Sequence, residues 1–161
     1  MTEEEYNKCV DLYADRLYRF VLKSVGEEEQ AKDIVQDTFL KVWEKRSQVV
    51  FLTAKSYLFT AAYNTMIDSI RKNKQLVSVE AVHASMLKVD QPSSDLSAIL
   101  NYAADRLPEI QKSVLLLRDY EGYKYEEISA ITGLSLEQVK VYLFRARKFL
   151  KNYLVSVEVV I

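Results

Sequence analysis

Apolar residues recur every three or four positions along most of this chain, the spacing of amphipathic α-helices. Val10, Tyr13, Leu17, Phe20 and Val21 form one stripe of a helix predicted from Glu3 to about Val25, with charged residues on its other side. Gly26 supplies the stop, and Glu27, Glu28 and Glu29 place negative charge where the dipole of the next helix favours it. That second helix has Ile34, Val35, Phe39, Leu40 and Val42 as its apolar positions and closes at Trp43. Ser47 to Thr53 is less regular. A third helix is predicted from about Lys55 to Lys74, with Tyr57, Leu58, Ala61, Ala62, Met66, Ile67 and Ile70 as candidate core positions.

From Gln75 to Ser94 the stripe dissolves, and Gln91-Pro92-Ser93-Ser94 is a run of turn formers. This stretch reads as a linker, and the chain's one histidine, His83, reads as a solvated side chain within it. Asp95 is placed to cap a helix ending near Arg106, and Pro108 starts another whose apolar positions are Ile110, Val114, Leu115 and Leu117. A short helix through Ile128 then breaks at Gly133, and Ser135 caps a last helix predicted to run through Leu150. Periodicity alone therefore predicts an all-α chain in two modules.

Composition narrows the function classes. The 161 residues are 49% hydrophobic, ample for a packed core, and the three glycines and two prolines are too few for the turns of an all-β chain. The net charge of −1 excludes a globally basic coat, so any contact with nucleic acid has to come from a local concentration of cations. Cys9 is the single cysteine, which excludes an internal disulfide or a cysteine zinc site and fits a reducing compartment. It is expected to fill a helix face. No secretory signal and no membrane-length apolar run are visible, so the expected location is the cytoplasm. No paired His and carboxylates, no Gly-rich phosphate loop and no Ser or Cys elbow occur, and adjacent Glu126 and Glu127 diverge on a helix. The chain is expected not to be an enzyme, with no cofactor and no metal site.

Two short helices joined by a turn containing Gly133 are a helix-turn-helix pattern, in which small Ser129 permits a close crossing and Ile128, Leu134 and Val139 fill the space between the helices. On the second of these helices, Leu136, Val139, Leu143, Ala146 and Leu150 share one face. Glu137, Val141, Phe144, Arg145 and Lys148 lie opposite, with Lys140, Arg147 and Lys151 on the flanks. From Gln138 to Tyr153 there are five basic residues and no acidic one. Such cations suit phosphates, Arg145 suits a base edge, and Val141 or Phe144 suits a thymine methyl. A solvated basic face on a packing helix is the plainer alternative; the turn that precedes it favours DNA.

Three segments, in order, resemble the extracytoplasmic-function (ECF) group of bacterial RNA polymerase sigma factors: AKDIVQDTFLKVW (Ala31–Trp43), YLFTAAYNTMIDSIRK (Tyr57–Lys72), and Leu107-Pro108 through Arg118 with EGYKYEEI (Glu121–Ile128), Val139-Lys140 and FRARK (Phe144–Lys148). The resemblance covers nearly the whole chain outside the linker and the last residues. It implies a sigma-two domain of three helices over residues 1–74, a linker over 75–94 threading through the polymerase, and a sigma-four helix-turn-helix domain over 95–161. The implied function is promoter recognition and transcription initiation. The implied partners are the polymerase core (its clamp coiled coil and flap), promoter DNA, an anti-sigma protein, and another targeting factor.

The resemblance also assigns residues. Asp33, Gln36, Asp37, Leu40 and Trp43 match polymerase-contact positions, where acids and amides suit basic partner groups and Trp suits an interface anchor. Asn64 matches the position lining the pocket for an extruded non-template base of the minus-ten element. Tyr63 is a candidate for base stacking, and Arg71, Lys72 and Lys74 for backbone phosphates. Asp68 is expected to pair with a nearby cation. Glu137, Gln138, Lys140, Val141, Phe144, Arg145 and Lys148 are the expected minus-thirty-five face.

The chain departs from the family pattern in three places. Tyr57 stands where Trp is usual. Val141-Tyr142 replaces the common Ser-Arg, which removes a hydroxyl and a guanidinium from the DNA-facing region, so the resemblance does not carry over a familiar minus-thirty-five sequence. The low net charge predicts weak promoter affinity without polymerase. A stand-alone helix-turn-helix repressor with an N-terminal dimerisation or sensing module is the competing reading. It gives no role to Asn64, Arg71 or the Asp33–Trp43 helix.

Overall fold

The computed structural model describes residues 1–76 and 96–160, with side chains for 1–72 and 96–156. The expected linker, His83 and the expected Asp95 cap lie outside these residues, as does the side chain of Lys74. The described residues form seven α-helices: α1 Glu3–Val25, α2 Glu28–Glu44, α3 Ala54–Leu76, α4 Leu96–Ala104, α5 Glu109–Leu115, α6 Tyr125–Thr132 and α7 Leu136–Val160. Two short 3-10 turns lead into α3, and a π-helical turn, Leu116–Tyr120, follows α5. None of these helices is long and apolar enough to cross a membrane.

Helix ends follow local chemistry. The Thr2 hydroxyl accepts from the Glu5 N–H at 3.1 Å while the Glu5 carboxylate accepts from the Thr2 N–H at 3.0 Å, satisfying two donors at the start of α1. Gly26 ends α1 in the left-handed conformation, φ +76°. The Ser135 hydroxyl accepts from the Gln138 N–H at 3.1 Å, and the Gln138 side chain returns the bond to the Ser135 N–H at 3.0 Å. Between α6 and α7, Gly133 turns at φ +78° with open space around a built Cβ. A Gly133→Ala change meets no clash there, only the left-handed backbone strain of an L-residue. Urea unfolding should show a loss of about 1–2 kcal/mol.

Three element bounds differ from the sequence expectation. Helix α3 continues to Leu76, into the expected linker. Helix α4 stops at Ala104 rather than Arg106: Arg106 and Leu107 donate three residues back, to Ala103 and Ala104, as the chain tightens ahead of Pro108. Helix α7 runs ten residues past Leu150, to Val160. Tyr153 stacks on Phe149 (6.5 Å) and meets Tyr102 of α4 (6.0 Å), so tertiary packing carries the helix beyond the segment that periodicity marked.

Helices α1, α2 and α3 pack around Leu17, Phe20, Val42, Leu58, Phe59 and Met66. The later helices pack around Val114, Leu117, Ile128, Val139 and Leu143. The two expected groups of helices are present, and they also pack against each other. Helix α3 packs against α6, α1 touches α5, and one apolar core runs through both groups. Phe59 joins them, its ring 5.6 Å from Phe20 and 5.3 Å from Tyr123.

Candidate nucleic-acid interface

The recognition surface is built outward from the buried side of α7. Val139, Leu143 and Ala146 are buried, which fixes the rotation of the helix and turns Glu137, Lys140, Val141, Phe144, Arg145 and Lys148 to solvent. Phe144 is 67% exposed and Val141 44% exposed, apolar side chains with no core to fill. Leu136 is partly exposed, at the edge of the face it was expected to bury. The helix-turn-helix crossing forms through Ser129, whose hydroxyl donates to the Leu134 carbonyl at 2.6 Å, with Ile128 and Val139 fully buried beneath.

Two of the expected DNA-facing groups have structural duties. The carboxamide oxygen of Gln138 closes the α7 cap, so its amide nitrogen is the group it can offer outward. Arg147, one of the five cations, pairs with Asp119 of the π turn, Nε to Oδ2 at 3.3 Å and a terminal nitrogen to Oδ1 at 2.5 Å. The hydrogen bond to Asp119 raises its already high pKa, and it ties the guanidinium to the π turn while the side chain stays half exposed. Lys140, Lys148 and Lys151 line a groove of about 720 Å³ together with Tyr125, Leu143 and Phe144. Tyr125 was absent from the expected site, because its place at the start of α6 gave no stripe to follow.

The second surface lies on α2 and α3. Asn64 is exposed and lines a concavity of about 390 Å³ with Lys41, Lys45, Tyr57, Thr60 and Asp68. Tyr57, Thr60, Asn64 and Asp68 share one helical face with Ala61; Tyr57, read from spacing as core, is partly exposed there. Lys41 ties the two helices together, donating to the Thr65 hydroxyl at 3.0 Å and pairing with Asp37 at 3.1 Å. Asp68 stands in the wall of an adjoining groove that also contains Lys41 and Lys72. Arg71 and Lys72 are exposed. Tyr63 departs from the expectation: it is 6% exposed, and burial pushes its phenol pKa up. In this arrangement its ring offers no open face to a base.

On α2, Asp33, Gln36 and Asp37 are exposed and Leu40 is 54% exposed. Trp43 is half-buried, with the Tyr6 ring at 4.9 Å and the Arg46 guanidinium 3.8 Å above its face. It is therefore neither a core residue nor a loose one. Packing against Tyr6 and Arg46 presets its orientation and leaves it partly exposed.

Two family patterns match these two groups of helices: Sigma-70 region 2 over residues 9–75 and Sigma-70 region 4 over residues 97–150. The chain belongs to the ECF RNA polymerase sigma factors of the sigma-70 family. Among its relatives, the RNA polymerase sigma factor SigV of Bacillus subtilis is 30% identical over 144 residues, spanning 89% of this chain and 87% of SigV. The ECF sigma factor SigE of Mycolicibacterium smegmatis is 30% identical over 158 residues, and the match spans 92% of this chain but 61% of SigE. The fold is that of the sigma factor RpoE from Bartonella quintana, crystallised in complex with the anti-sigma factor NepR, with a TM-score of 0.75 at 24% identity over 94% of this chain and 97% of that one.

Proposed function

We propose that this chain directs RNA polymerase to a subset of promoters in the cytoplasm, acting as a binding factor with no catalysis of its own. The exposed α2 face of Asp33, Gln36, Asp37, Leu40 and Trp43 docks on a basic surface of the polymerase core. The outer face of α7 enters a duplex groove, where Arg145 addresses a base edge, Val141 and Phe144 touch thymine methyls, and Lys140 and Lys148 hold phosphates. The concavity under Asn64 takes an extruded base, with the amide reading its edge and Tyr57 beside it, while Arg71 and Lys72 steady the strand. Residues 1–74 and 95–161 serve as the strand-opening and duplex-reading domains, with residues 75–94 between them.

The observation that carries this reading is the pairing of an exposed acidic helix anchored by Trp43 with an exposed recognition helix whose cations carry no acidic neighbour from Gln138 to Tyr153. A repressor needs only the second of these. The low net charge fits an initiation factor whose affinity for DNA is completed by the polymerase. An anti-sigma protein covering these faces is part of the same proposal.

Alanine substitutions separate the two kinds of DNA contact. With core polymerase and promoter DNA, Arg145→Ala should lose about 1–3 kcal/mol and relax the preference at one base position. Lys148→Ala should weaken all sequences alike and lower the salt slope by about one. Equal, sequence-independent losses for both would remove Arg145 from base reading.

A further inference from the structure

We propose that Tyr142 is a positioning residue for base reading, its ring being the platform that holds the Arg145 guanidinium toward a base edge and away from the phosphates. The inference rests on the assignment of Arg145 to base reading. Tyr142 lies on the flank of α7 between the buried stripe and the outward face, half-buried and packed against the core. The Arg145 guanidinium stands over that ring, 6.0 Å from its centre. Arg145 itself is exposed, and among the described residues it forms no ion pair. The Tyr142 ring is therefore what restrains it.

Helix geometry gives this contact a direction. Long side chains on a helix lean toward its N-terminus, over the positions three and four residues back. For Arg145 these are Tyr142 and Val141, and Val141 has no ring face to offer a cation. A recognition helix presents its N-terminal residues to base edges, whereas Arg145 lies about two and a half turns into α7. Laid back over Tyr142, the guanidinium reaches toward the end that enters the groove. Gln138, with its amide nitrogen free of the cap, lies on the same flank there.

The distribution of charge points the same way. Of the five cations between Gln138 and Tyr153, Lys140, Arg147, Lys148 and Lys151 line the groove beside Phe144, and Arg145 does not. Phosphate-binding charge is thus gathered on one flank, and Arg145 stands on the other with an aromatic ring beneath it. An exposed arginine without such a ring is a long, flexible cation that any phosphate in reach can capture. A ring face at an exposed site biases it by a factor of about two to five. The resemblance places arginine where Tyr142 stands, and a second guanidinium there would repel Arg145 instead of holding it. This substitution therefore changes how the helix reads a base, through a residue that need not touch DNA.

The test is competitive binding of the full chain with core polymerase to the promoter fragment it transcribes best, and to variants with each base pair of the minus-thirty-five element replaced in turn. Arg145→Ala marks the base pair that Arg145 reads, as the position where preference relaxes. At that base pair, Tyr142→Leu should lower the preference about two- to fivefold. Affinity for fragments with the other bases there, and the salt slope, should stay at wild-type values, because no charge is removed. Tyr142→Met, which also lacks the ring, should behave as Y142L does, and Tyr142→Phe, which keeps it, should retain the wild-type preference. In the R145A chain, Y142L should change the preference no further. An unchanged preference in Y142L and Y142M, an equal loss in Y142F, a uniform weakening on all fragments, or a further loss in the double variant would each overturn the role of Tyr142. If R145A relaxes no position, base reading by Arg145 falls and this role falls with it. If R145A relaxes one position and Y142L does not, base reading stands and the role of Tyr142 alone is lost.

Discussion

Reversing two charges on α2, as Asp33→Lys with Asp37→Lys, should weaken binding to core polymerase at least a hundredfold while leaving the fold intact. Both side chains are exposed, and the ion pair Asp37 makes with Lys41 lies on the surface and is worth about 0–1 kcal/mol. Folding is therefore nearly indifferent to them. A docking surface is not, because like charges brought together at an interface are unfavourable by several kcal/mol. Titration of labelled chain with core polymerase measures the loss, and circular dichroism checks the helices. Unchanged affinity with intact helices would move the polymerase contact off this face of α2.

The largest stability effect is expected at Phe59. Its ring is fully buried between Phe20 and Tyr123, so it belongs to the first three helices and to the seam with the later ones. Truncation to alanine should lower stability by about 3–5 kcal/mol, a large part of the 5–15 kcal/mol typical of a domain. Urea titration followed by helicity should show the midpoint falling sharply. Probes in α1 and in α7 should respond to the same substitution, because the cavity opens at the point where the two groups meet. A loss below 1 kcal/mol would mean that the contact with Tyr123 and Phe20 is not made in solution.

What the sequence made legible was local. Gly26 and Gly133 stop helices through their own backbone freedom, and Ser135 caps through a bond three residues away. The stripes on α1 and α7 announce which side is buried, so residue spacing alone was enough to mark Val141, Phe144, Arg145 and Lys148 as the outward set. What stayed hidden depends on residues distant in the chain. Phe59 was not among the core positions that spacing marked on α3, and nothing near Tyr123 marks it as the residue that meets it. Tyr63 read as an aromatic offered to DNA because its neighbour Asn64 points outward, but at 100° per residue adjacent side chains take different faces, and here Tyr63 is inside. Arg147 read as one more phosphate ligand; its partner Asp119 lies 28 residues earlier. The extension of α7 to Val160 depends on Tyr102 and Tyr153 meeting, which no single-helix pattern contains.

Transcription reconstituted from purified core polymerase, this chain and a library of genomic fragments tests the central claim most directly. Transcripts should start at defined positions on a small set of fragments only when the chain is present, and Asn64→Ala should reduce open-complex formation on those fragments more than it reduces binding to duplex. If the polymerase starts at the same places with and without the chain, the two exposed surfaces serve some other purpose.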